Sequence, residues 1–135
     1  MTTQEFIDQY EKYIDTGFDD IELEVVDYIP FDKKCEICEA IIYDSTYDKD
    51  GDFNINSAYR NLLYRMTLIN AYMNVDIDYN NITEEFDELE MRDAVSFLLG
   101  YIDESEIARF DEIMQCKLND LYQNERSQAA LARRN

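Results

Sequence analysis

Three glycines and one proline are all that this 135-residue chain holds of the two residues that most reliably break helices and build tight hairpins. A sandwich or barrel with many turns needs far more of both, so the chain is confined largely to helical segments. Apolar residues make up 46% of it and aromatic residues 13%, with eleven Tyr and seven Phe supplying most of the bulk. That is enough to build the core of a single domain without metals or disulfides.

The helical periodicity can be followed along the chain. Thr2 stands three residues before Glu5 in a capping-box pattern, followed by Phe6, Tyr10, Tyr13 and Ile14 at helical spacing, with Gly17 as the stop. Ile21-Glu-Leu-Glu-Val25 alternates apolar and acidic residues, which predicts one short β element near residues 21–28, ended by Pro30. Asp32 is the expected cap of a second helix carrying Cys35, Cys38, Ile41 and Ile42. A polar loop follows, then a third helix capped by Asn56 or Ser57 and marked by Tyr59, Leu62, Leu63, Met66, Ile69, Tyr72 and Met73.

After an acidic connection from Val75 to Asn81, Thr83 is expected to begin a helix that continues or restarts toward Gly100. Asp103 and Glu106 form another capping-box pattern, ahead of Ile107, Phe110, Ile113, Met114, Leu118, Leu121 and Tyr122. The expected fold is therefore mainly α within an α+β class: a compact bundle of about five helices, one short β element and a projecting C-terminal helix. Residues 1–125 read as one acidic domain and residues 126–135 as a basic arm.

The charge excludes several functions. Thirty-one acids face twelve bases, with no His, for a net charge of −19. Such a surface repels phosphates and anionic lipid heads, so direct nucleic-acid or membrane binding is not expected. Residues 1–60 and residues 61–125 each carry −11, whereas the last ten residues hold Arg126, Arg133 and Arg134 with no acid. That +3 segment has Leu131 as its bulky apolar anchor. Three Cys cannot all pair within one chain, and the start has no signal-peptide pattern, so synthesis in a reducing cytosol is expected.

Asp48-Lys-Asp-Gly-Asp-Phe-Asn-Ile-Asn56 resembles an EF-hand loop, offering Asp48, Asp50, Asp52, Asn54 and Asn56 as calcium ligands. However, the sixth position, which needs Gly, is Phe53, and the twelfth, which needs Glu, is Tyr59. An acidic turn between helices explains the same residues. Cys35-Glu-Ile-Cys38 has the spacing of a redox dithiol, but both Cys fall on an apolar stripe; as a zinc half-site it has only Cys116 to add.

Glu84-Glu-Phe-Asp-Glu88 with Asp103-x-x-Glu106 loosely resembles the magnesium-holding acids of all-helical nucleotide pyrophosphohydrolases, with the second motif in the wrong order. Without His, triads of the Ser-His-Asp and Cys-His types are excluded. The expectation is a protein that is not an enzyme and needs no cofactor.

Two binding functions remain. The first is assembly, in which the arm docks on an acidic surface, including that of a neighbouring copy. The second is nucleic-acid mimicry, in which Asp8, Glu11 and Asp15, or Glu84, Asp87, Glu88 and Glu90, imitate a phosphate track. Such acids recur at about 5–6 Å along a helical face. The stretches Val26-Asp-Tyr-Ile-Pro-Phe-Asp-Lys-Lys-Cys-Glu-Ile-Cys-Glu39, Ile55-Asn-Ser-Ala-Tyr-Arg-Asn-Leu-Leu63 and Asp120-Leu-Tyr-Gln-Asn-Glu-Arg-Ser127 resemble small proteins of phages and prophages of low-GC bacteria, encoded among head–tail and tail genes. That resemblance implies a head–tail connector or tail assembly component, in the bacterial cytoplasm or the virion. The alternative is an inhibitor of a host nucleic-acid enzyme, of anti-CRISPR or anti-restriction type.

Overall fold

In the computed structural model, residues 1–17 and 20–134 are described, with side chains described up to residue 124. Among these residues there are six α-helices and one short 3-10 turn, and the fold is a mainly helical bundle. No described helix is long and apolar enough to cross a membrane.

Helix α1 (Thr3–Tyr13) begins with the capping box that its sequence announces. Thr2 Oγ1 accepts from Glu5 N at 3.1 Å, and Glu5 Oε1 accepts from Thr2 N at 3.4 Å. Phe6, Ile7 and Tyr10 form its buried face. Gly17, at φ +113°, donates its N–H back to Tyr13 O at 2.9 Å, a conformation that suits a residue without Cβ.

The predicted β element shrinks to a single antiparallel bridge between Val25 and Met73. The burial follows the alternation: Ile21 is buried while Glu22 and Glu24 are exposed. No ladder grows because Asn74 takes over the neighbouring backbone groups with its side chain. Asn74 Oδ1 accepts from Glu24 N at 2.8 Å, and its Nδ2 donates to Glu22 O at 2.9 Å.

Helix α2 (Phe31–Thr46) starts one residue after Pro30, and Asp32 is not its cap. The Pro30 carbonyl accepts the first helical bond, from Lys34 N at 2.9 Å, and Asp32 lies in the first turn, where its charge complements the helix dipole. Helix α3 (Ser57–Tyr72) is capped by Asn56, whose Oδ1 accepts from Tyr59 N at 2.9 Å.

The acidic connection after α3 is part of the core rather than a loop over it. Val75 is fully buried and Ile77 is 8% exposed, and Asp76 pairs in parallel with Thr2. The 3-10 turn Tyr79–Asn81 leads into α4 (Ile82–Glu90), one residue before the expected start at Thr83. Asp93 adopts a left-handed backbone (φ +57°), which breaks the run and starts α5 (Ala94–Leu99). This break accounts for the sixth helix.

Helix α6 (Glu104–Arg134) has 31 residues and, at about 1.5 Å per residue, is roughly 46 Å long. Helix α2 packs against α3 and α6, and α3 packs against α4 and α5. Tyr72, Phe6 and Phe110 are the largest fully buried side chains. Contacts between α2 and α6 advance together, from Lys34–Glu106 to Cys38–Phe110 to Glu39–Lys117, so the two helices run parallel. Helix α2 ends at Thr46, and α6 continues toward that same end of the molecule.

Candidate functional site

A charged clasp lies where α2, α3 and α6 meet. Lys34 sits on the apolar stripe of α2 and Glu106 on that of α6, and both are buried. Lys34 Nζ donates to Glu106 Oε1 (2.9 Å), Glu106 Oε2 (3.0 Å) and Ile29 O (2.9 Å). Glu106 Oε1 also accepts from Ile29 N and from Tyr72 Oη, both at 3.0 Å.

Burial alone would raise the Glu106 pKa. Hydrogen bonds from Lys34, Ile29 N–H and Tyr72 O–H outweigh it and hold the carboxyl below its ordinary value. Burial first, then the bond to Glu106, pushes the Tyr72 phenol well up.

The expected Asp103–Glu106 capping box is thus not formed, because Glu106 is drawn inward to meet Lys34. Asp103 instead accepts from Ser105 N at 2.9 Å and from Ser105 Oγ at 2.8 Å. The magnesium pattern fails with it, since Glu106 is committed to this clasp. Above the pair opens a cleft of about 470 Å³, lined by Tyr28, Phe31, Arg109, Glu112 and Ile113. The Lys34 ammonium lies 4.4 Å from the Tyr28 ring centroid. The clasp's donors and acceptors are met within the protein, so its chemistry is to hold three helices in register.

The proposed calcium ligands form a hairpin. Asp48 Oδ1 accepts from Asp50 N and Asp52 N, each at 3.0 Å, while Asp48 N donates to Asp52 O at 2.9 Å. Gly51, at φ +82°, closes the turn, and Tyr47 bridges to Phe53. Asn54 N donates to Thr46 O at 2.7 Å, and the Asn56 side chain is taken by the α3 cap. Among the described residues no three His, Cys, Asp or Glu side chains converge as a metal site.

The cysteines separate by burial. Cys38 is fully buried, and burial pushes its thiol up to about 12. Cys35 is half-buried and Cys116 exposed. A buried thiol held protonated is a core residue rather than a nucleophile.

The two acidic faces, separated by some seventy residues of sequence, lie side by side. Arg92 joins them: its Nε donates to Glu11 Oε1 at 2.6 Å and its Nη1 to Glu88 Oε2 at 3.0 Å. Asp8, Glu11, Glu84, Asp87, Glu88 and Glu90 are all exposed. Asp15, expected on the α1 face, lies in the turn beyond the helix end at Tyr13. Glu85 is tied down between Thr3 Oγ1 (2.7 Å) and Asp78 N (3.0 Å).

The basic arm is the C-terminal part of α6, whose backbone is helical through Arg134. The side chains of Arg126, Leu131, Arg133 and Arg134 lie outside the described residues. Comparison with protein-family models, with curated proteins and with solved structures returns no match.

The sequence carries one signal of the clasp. A Lys at the start of the stripe Lys34, Cys38, Ile41, Ser45, and a Glu at the start of Glu106, Phe110, Ile113, are charges on core faces. Such charges are rarely buried without a partner.

Proposed function

We propose that this chain is a non-enzymatic assembly protein, acting through protein–protein contacts in the head–tail or tail region of a phage particle. It would work in the cytoplasm of the bacterial host and in the virion. The observation that carries the reading is the continuity of α6. The segment with charge +3 is not a separate tail but the end of a helix whose first turns are locked into the core by Glu106 and Phe110. A continuous helix anchored in the core at its first turns and carrying arginines near its far end presents a basic group to an acidic partner surface at low ordering cost. The body, at −22, is such a surface on every neighbouring copy.

A second reading is supported by the α1–α4 face. With Arg92 holding Glu11 and Glu88 together, two acidic helical faces combine into one exposed surface that could enter the basic groove of a nuclease or a CRISPR effector. The distinguishing experiment is the solution mass of the full chain, alone and mixed with purified virion components or with the nucleic-acid enzyme. Association with virion components that depends on Arg126, Arg133 and Arg134 supports assembly. A 1:1 complex with the enzyme that DNA displaces would replace assembly by mimicry.

A further inference from the structure

Residues 43–53 carry a stretch of surface with the composition of an interface. Tyr43 is 62% exposed and Phe53 is 49% exposed. Together with Tyr47 they form a continuous run of rings, with centroids 5.1 Å apart from Tyr43 to Tyr47 and 5.9 Å from Tyr47 to Phe53. Asp44, Asp48 and Asp50 stand beside these rings around a cleft of about 640 Å³, which Lys49 also lines.

Some acids elsewhere take cations from the chain itself, Glu11 and Glu88 from Arg92, Glu90 from Arg65 and Glu39 from Lys117. Among the described residues no ion pair includes Asp44, Asp48 or Asp50, and the cation–ring contacts lie at Tyr13, Tyr28 and Phe110, away from this patch. Contiguous exposed rings mark docking surfaces, and rings flanked by carboxylates favour a guanidinium, which stacks on the one and pairs with the other.

We propose that this patch receives the basic C-terminal arm of a second copy of the chain, the segment that carries Arg126, Leu131, Arg133 and Arg134. The proposal rests on the assembly reading and names the contact it would use. The charges match: the arm has three bases and no acid, and the patch has three carboxylates that make no ion pair among the described residues. Exchange between copies follows from geometry. Helix α6 runs parallel to α2 and stays helical to Arg134, so it has no break at which to fold back onto the end of its own α2. Patch and arm lie toward the same end of the molecule, so two copies meeting at that end satisfy both contacts reciprocally, as a two-fold interface requires.

The test uses the full chain in sedimentation equilibrium at low and high salt. The wild-type protein should self-associate, and added salt should weaken the association. The patch variant Tyr43→Ser with Phe53→Ser, and the arm variant Arg126→Gln with Arg133→Gln and Arg134→Gln, should each lose association by on the order of tenfold or more. Mixing the two variants should restore a heterodimer, because one intact patch then faces one intact arm. Should the ring variant fail to fold, Asp44→Asn with Asp50→Asn alters exposed groups only and reads the same contact.

A wild-type chain that is monomeric at every concentration would overturn the proposal. So would association indifferent to both sets of substitutions, or a mixture of variants that stays monomeric. A monomer that still joins virion particles sinks this contact and leaves the assembly reading standing; arm-dependent dimers absent from every particle do the reverse.

Discussion

Lys34 Nζ lies 2.9 Å from Glu106 Oε1, between side chains that are only 3% and 7% exposed. Two charges so far from water persist because each is fully engaged: the ammonium by both carboxylate oxygens and Ile29 O, the carboxylate by Ile29 N and Tyr72 Oη as well. The pair fixes how α6 seats on α2, and therefore where the basic end of α6 emerges.

Breaking one side of the pair should be costly. Glu106→Ala leaves a buried ammonium without its partner and should lower the unfolding free energy by about 3–5 kcal/mol, measured by urea denaturation. The double change Lys34→Met with Glu106→Leu should cost much less than the two single changes added together. Equal additivity would show that the two groups do not act as a unit.

The same residues set the pH response. The Glu106 carboxyl is held low in the folded state, so its contribution is present above the ordinary glutamate pKa and is lost as pH falls through the folded value. Tyr72 is raised, so the folded state keeps its proton where the unfolded chain releases it. Stability should therefore fall as pH climbs past about 10. Melting temperature against pH should decline at both ends, and Tyr72→Phe should remove part of the alkaline decline. An unchanged alkaline limb in that variant would assign the effect to other tyrosines.

Thiol reactivity should follow burial. In the native protein a thiol reagent should modify Cys116 fast and leave Cys38 unmodified until the chain unfolds, because its thiol is buried and pushed up to about 12. Mass spectrometry of the labelled peptides gives the order, and rapid native labelling of Cys38 would contradict it.

How much of this was legible from sequence follows the range of the interactions. Local signals read well: the Thr2–Glu5 box, the Asn56 cap and the facing of Ile21–Val25 all depend on neighbours within a few residues. What failed was long-range. Nothing near Glu106 in the sequence says that Lys34, seventy-two residues earlier, will draw it out of a capping box. Nor does the alternation at 21–25 reveal that its partner is Asn74, whose side chain replaces a ladder. The juxtaposition of Glu11 with Glu88 through Arg92 is of the same kind. Position on the apolar stripe was the one local hint of the clasp.

The hairpin at 48–52 offers a compact test of the acidic loop. Asp48→Ala removes the acceptor of two backbone N–H bonds and should cost about 1–2 kcal/mol, by thermal or urea unfolding. Millimolar calcium should leave the melting temperature of the wild-type chain unchanged. A rise with calcium that Asp48→Ala and Asp52→Asn abolish would instead make the loop a cation site.

In the proposed role, a core-anchored basic helix on an acidic body joins this protein to particle components. The most direct measurement is the amount of the chain in purified phage heads, tails and whole particles, with wild-type protein and with the variant Arg126→Gln, Arg133→Gln, Arg134→Gln. A fixed amount of wild-type chain in one of these structures, much reduced for the substituted arm, is the predicted result. Absence from all of them, with the chain recovered instead in a 1:1 complex with a nucleic-acid enzyme that DNA displaces, would contradict it.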